Sequence, residues 1–382
     1  MFAAALLFIA CRAAIFDMIS REVAPIEPLI MGSPTNMVVG NFQGIDYMFV
    51  ASGHTLHWYR DGQWGISLPI ERPGGRISML AATDQFLFAL VNNDSIRRLN
   101  LTTGEWETIA IPAALSRGLL VQSIYAPNPA SNHVFIGLGT GIASPADILY
   151  IRDTTTDVHL LESDTGMLTG AAFDGTNYFL AIRASINASN AVVNYGNSIL
   201  RFSGSSLQAT LTVSTDHAGA GFTGIIDTGS GVMAINRDGN LFNVTAGSIT
   251  RIRDEMMHPG FSTGAIAVWE DPQNAANRRL LAGRQGSLSY SFATTGFTYG
   301  YMEFIFDSSS GFYEPGSSAA SPGSSVTDHS LYISTIGRHV VNHIFQAPTS
   351  VCSERRLFAS TQRSGLWSYR NRDGIWQWNA EN

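Results

Sequence analysis

Cysteine is nearly absent from this 382-residue chain: Cys11 and Cys352 are the only two. A lone thiol without a neighbouring His–Asn set is a poor nucleophile, so Cys352 is expected to be an inert loop residue. Charge is scarce as well. Asp, Glu, Lys and Arg make up 14% of the residues, the formal net charge is −7, and no run of Lys or Arg occurs. A surface that tracks phosphates needs such runs, so a nucleic-acid partner is not expected. After residue 11 no apolar stretch approaches the roughly 18–20 residues that cross a bilayer. The chain also lacks a Gly-rich phosphate loop, an HExxH pair and a Gly-x-Ser-x-Gly elbow, and no catalytic set, cofactor or metal site is assigned from it.

What the chain has is repetition. A six-residue phrase recurs at 55–60 (TLHWYR), 95–100 (SIRRLN), 147–152 (DILYIR), 198–203 (SILRFS), 240–245 (NLFNVT), 287–292 (SLSYSF) and 365–370 (GLWSYR). In each, a small or polar residue precedes a Leu or Ile anchor: Leu56, Ile96, Ile148, Ile199, Leu241, Leu288 and Leu366. The anchors recur at intervals in the forties and fifties, with one longer gap before the last. All-β units at this period predict a β-propeller with one four-stranded blade per repeat. Seven copies predict an all-β, seven-bladed propeller of antiparallel blades, with the phrase as the third strand of each.

The other strands fit around it. Apolar second strands precede each phrase, for example 85–91 (QFLFALV) and 177–183 (NYFLAIR), with the continuity expected of strands buried on both faces. First strands carry small residues near their start. Ser78, Ser123, Gly170, Gly224 and Gly264 are read as equivalent, and the pairs Thr169-Gly170, Thr223-Gly224 and Thr263-Gly264 as packing around the central axis. Tight turns at Asp61-Gly62, Thr103-Gly104 and Asp373-Gly374 lead into Trp64, Trp106 and Trp376. These turns resemble the Asp-boxes of sialidase-type propellers, although the full Ser-x-Asp-x-Gly-x-Thr-Trp pattern is absent. The tryptophans are read as core residues.

Longer connections gather on one face, where the fourth strand leads to the next blade and the second to the third. That face is the expected binding surface, with Arg72, Arg76, Arg117, Asp216, His217, Glu255 and His258 as its candidate residues. Asp216-His217 and Glu255–His258 could ligate a metal, but solvated loop histidines are the simpler reading. A Ser/Gly/Pro-rich stretch at 307–328 is expected to be a mobile insert between blades six and seven.

At the N-terminus, residues 2–10 are continuously apolar and end at Ala10-Cys11. This resembles a bacterial lipobox, which implies that residues 1–11 are a signal segment and that Cys11 carries the lipid. No Lys or Arg precedes the run, as a signal peptide normally requires. Residues 12–34, with Pro25, Pro28 and Pro34, are then a tether, and 35–382 the propeller. Lipobox, seven degenerate blades and a Ser-rich insert together resemble the propeller lipoproteins of spirochaetes, treponemes in particular. The resemblance implies an extracytoplasmic, lipid-anchored address in the cell envelope, with the membrane touched through the anchor only. The function expected is a non-catalytic scaffold for an envelope protein or a small or glycan ligand. The alternatives are a propeller hydrolase or lyase acting on glycans, or a structural part of an envelope complex.

Overall fold

The computed structural model describes residues 30–65, 74–131, 133–139, 146–152, 157–183, 198–213, 221–252, 261–272, 274–285, 300–307, 312–315, 336, 339–372 and 375–381. Its strands form seven sheets, each of four strands consecutive in sequence and antiparallel. The chain is a seven-bladed β-propeller. Blades one to seven span residues 38–65, 77–109, 120–165, 167–212, 222–251, 261–315 and 341–380. The one helix among the described residues is the single turn Ala113–Ser116 between blades two and three, and none there is long and apolar enough to cross a membrane.

Second strands are the most buried. Phe86–Val91, Val232–Asn236 and Leu357–Thr361 are buried at every position. Each lies between a first and a third strand and under the neighbouring blades, so both faces need apolar side chains. The core therefore runs as clusters between successive blades. One joins Phe88, Leu90 and Ile96 of blade two to Ile124, Ile136 and Leu149 of blade three.

Two third strands depart from the repeated phrase. In blade one, Leu56 is only half-buried, and His57 fills the buried place beside Val50. In blade six the third strand is Tyr301–Asp307, which pairs with Asn274–Gln285. The phrase at 287–292 is not that strand and lies outside the described residues. Tyr301 takes the anchor place opposite Gly283, is buried, and accepts a hydrogen bond from Trp378 Nε1 at 3.1 Å. Phe312–Pro315 is the fourth strand of blade six, so the stretch 307–328 is not wholly a connection between blades. The rest of it, 308–311 and 316–328, lies outside the described residues.

Ring closure joins blade seven to blade one without strand exchange. Residues ahead of the first blade dock on the last: Gly365 N–H donates to the Gly32 carbonyl at 2.9 Å and Leu366 N–H to Ile30 at 3.0 Å. Ile30 is fully buried among Tyr59, Phe358 and Leu366. These residues, read from sequence as the end of a tether, pack against the ring. Trp64 and Trp106 pack at the edges of core clusters, as expected. In blade seven the buried indole described is that of Trp378.

Candidate functional site

The first strands surround the axis, and each begins at the face where the preceding blade enters. Near that start the ladder slips by one residue, leaving a bulge at Ser78, Gln122, Thr169, Thr223 and Asn342. A bulge re-aims its side chain, and here polar side chains turn toward the next blade. Asn36 donates from Nδ2 to the Leu80 carbonyl at 2.7 Å and accepts the Leu80 N–H at 2.9 Å. Ile124 N–H reaches Met79 Sδ at 3.4 Å, and Ser123 Oγ donates to Leu168 at 2.9 Å. Thr169 donates to Phe222 at 2.9 Å, Thr223 to Ser262 Oγ at 3.1 Å, and Thr263 to the Val341 carbonyl at 2.6 Å. Ser360 donates to Thr35 at 2.7 Å and completes the circle. Every blade junction thus carries a side-chain hydrogen bond close to the axis. The Thr-Gly pairs noted in the sequence are part of this belt.

The residue after each bulge is Met79, Ser123, Gly170, Gly224 and His343 in blades two to five and seven, with Gly264 beside the irregularity of blade six. Ser78 is therefore a bulge residue, one place earlier than the equivalence read from sequence. Contact obliges glycine at two of these places. A Cβ on Gly224 would lie 2.4 Å from the Gly264 carbonyl oxygen, and one on Gly264, where φ is +91°, would lie 2.3 Å from the Thr223 oxygen.

Beside them lies an axial cavity of about 170 Å³. Six blades contribute to it, through Asn36 and Met37, Tyr125, Thr169 to Ala171, Gly224 and Ile225, Gly264 to Ile266, and His343 with Ile344. No Asp, Glu, Lys or Arg lines it. Burial lowers the His343 imidazole from 6.5 to about 4 and raises the Tyr125 phenol, so both are neutral at pH 7. The cavity can offer hydrogen bonds and apolar contact but no charge. The lining residues run from Asn36 and Met37, ahead of the first strand of blade one, through the middle of the other inner strands to Tyr125, the last residue of Leu120–Tyr125. His343 left no sequence signal, because its neighbours carry no Thr-Gly pair.

Of the candidates named from sequence, Arg76 and Arg117 are described. Cys11, Arg72, Asp216, His217, Glu255 and His258 lie outside the described residues. Arg76 is exposed at the expected face, its backbone N–H held by Asn92 Oδ1 at 3.0 Å. Arg117 serves the scaffold. Its Nη2 and Nε reach the carboxylate of Asp147, the former at 2.5 Å to Oδ1, and Asp164 N–H donates to the same oxygen at 3.0 Å. The Asp147 side chain is fully buried, and hydrogen bonding to it raises the Arg117 pKa further. Also on this face, burial and the neighbouring Arg237 lower the pKa of Arg183.

Among the described residues no three His, Cys, Asp or Glu side chains gather as metal ligands. No protein-family model matches the sequence, and neither does any curated protein. By shape the chain is similar to solved propellers. YCF48 from Cyanidioschyzon merolae aligns over 89% of this chain and 96% of its own, at 13% identity and a TM-score of 0.51. YCF48 bound to D1 peptide aligns over 91% and 94%, at 10% identity and 0.52. The WD40 propeller domain of Doa1 aligns over 90% and 95%, at 11% identity and 0.51. At such identities the likeness speaks to the fold.

Proposed function

We propose that this propeller is a non-catalytic scaffold that binds a protein or peptide segment on the face that carries the long connections. The observation that carries the reading is the coincidence of two features. The inner strands are locked to one another at every junction, and the chain's longest connections all leave the strands at one face of that frame. A rigid frame that presents variable loops suits recognition. A propeller of similar shape, YCF48, is described with a D1 peptide bound, which supplies a precedent for a peptide ligand.

The address belongs to the same proposal. Residues 2–10 and Cys11 read as a lipobox, and the resemblance to spirochaetal propeller lipoproteins supports an extracytoplasmic, lipid-anchored protein of the cell envelope. Metabolic labelling with a palmitate analogue tests the anchor: label on the full chain, lost in Cys11→Ser, is the expected result. The binding face is tested with a photo-crosslinking residue at Arg76 or at Glu354, an exposed residue of the opposite face. A discrete protein adduct from position 76 and none from 354 is expected. The reverse pattern assigns binding to the wrong face, and no adduct from either removes the scaffold reading.

A further inference from the structure

The place after the bulge differs from blade to blade, and the differences are not spread evenly. Blades four, five and six put Gly170, Gly224 and Gly264 there in succession, whereas blade seven puts His343. The neighbouring blade fills the Cβ places of these glycines, so contact accounts for Gly224 and Gly264, and the cavity lies beside them with the His343 imidazole in its lining. Contact does not account for an imidazole at the equivalent place in blade seven. His343 makes no hydrogen bond among the described residues, so its ring N–H and its bare nitrogen are both available to the cavity. Tyr125 adds a phenolic hydroxyl to the same lining.

We propose that the axial cavity is a binding site for an uncharged group that both donates and accepts hydrogen bonds, a primary carboxamide above all, held by His343 and Tyr125. Size and polarity both bear on this choice. A volume of about 170 Å³, against ~30 Å³ of liquid per water, admits a group of roughly five heavy atoms. An ionised group would lose its hydration and find no countercharge, since no charged side chain lines the wall. An apolar group would leave the imidazole unpaired. A carboxamide donates through its NH₂ and accepts through its oxygen, and its short apolar stem suits Ile225, Ile266 and Ile344. Such a group is found in a free small amide and in the Gln or Asn side chain of a bound segment. The proposal does not depend on the scaffold reading and stands if a partner docks elsewhere.

The test is a titration of the full chain, ¹⁵N-labelled at histidine, with propionamide, propionate and propylamine, which are close in size. Propionamide should shift the His343 ring resonance saturably while leaving His57 unmoved. Propionate and propylamine should bind at least about tenfold more weakly, which corresponds to about 1.4 kcal/mol of unpaid desolvation. Ala171→Leu, which fills the cavity from its wall, should abolish the shift. Saturation transfer to the propionamide methyl group on His343→Phe gives a second readout that needs no histidine, and it should fall at least about tenfold as well. Equal binding of propionate, a shift that never saturates, or undiminished transfer in His343→Phe would overturn the proposal. The peptides acetyl-Gly-Gln-Gly-amide and acetyl-Gly-Ala-Gly-amide separate the sources. Tighter binding of the Gln peptide than of propionamide assigns the site to a side chain of a bound segment. Entry of propionamide alone assigns it to a free amide.

Discussion

Trp64, in the outer strand of blade one, donates its indole N–H to the Glu381 carboxylate at 2.5 Å, across the join between the first and last blades. Glu381 is buried, accepts a second hydrogen bond from Ser368 Oγ, and lies 3.7 Å from Arg370. The Trp64 ring itself packs on Phe358 of blade seven. Among the described residues no strand is exchanged to lock this ring, so the Glu381 contact takes on that work, together with Ile30 and Gly32 on the other side of blade seven.

Glu381→Ala is therefore expected to destabilise the ring. It leaves the Ser368 hydroxyl and the Trp64 indole without their acceptor, at a cost of about 1–3 kcal/mol for a buried polar group stranded in this way. Glu381→Gln keeps an acceptor oxygen and should cost less. Thermal unfolding followed by tryptophan fluorescence checks both, and equal melting temperatures for wild type and Glu381→Ala would show that closure rests elsewhere.

Arg117 was read from the sequence as a ligand-facing residue, yet its fork holds the buried Asp147. Arg117→Ala should lower the melting temperature, because it strands a buried carboxylate. Asp147→Asn in the same chain should restore part of the loss, since the amide oxygen still accepts from Asp164 N–H and no charge is left unpaired. If the double variant melts no higher than the single, the pair is not what stabilises this corner.

Much of the architecture was legible in the chain because the forces behind it are local. Second strands read as apolar runs because both their faces are covered, and tight Gly turns marked the hairpins. Thr-Gly pairs pointed at the axis because a bulge and a close backbone approach both restrict residue type. The misses occurred where tertiary context decides. The phrase at 287–292 looks like a third strand, but the partner of Arg279 to Gly283 is the segment Tyr301 to Ile305. In blade one, alternation alone does not tell whether Leu56 or His57 turns inward, and the ring places His57 there. The cavity was invisible for a related reason. Its lining comes from six blades, and no local pattern joins them.

The two desolvated histidines imply a stability loss in mild acid. Burial lowers His57 and His343 from 6.5 to about 4 in the folded protein. Between those values the unfolded chain binds protons at these sites and the folded chain does not. Stability is then complete above 6.5 and falls as the pH drops toward 4. Urea unfolding between pH 7 and 4.5 should show proton uptake on unfolding. His57→Leu, which places there the Leu found at the matching positions 149 and 200, and His343→Asn should each reduce that uptake by up to one proton. An unchanged pH dependence in both variants would mean that carboxylates alone account for it.

The stretch 307–328 divides into two parts with opposite expected behaviour. Phe312–Pro315 pairs with Tyr301–Asp307 as the outer strand of blade six, with Phe304 opposite Pro315 and Asp307 opposite Phe312. Removing residues 312–315 unpairs the edge of that third strand, which carries the buried Tyr301 and Phe304. Residues 316–328 are mostly Ser, Gly, Ala and Pro and offer little apolar area. Closing a loop costs free energy only as the logarithm of its length, about 0.6 kcal/mol per doubling. Replacing 317–327 with a short Gly-Ser link should therefore leave the melting temperature within a few degrees, whereas deleting 312–315 should lower it markedly. Equal losses from the two changes would show that 317–327 also packs on the ring. No loss from either would show that the outer strand of blade six contributes nothing to its stability.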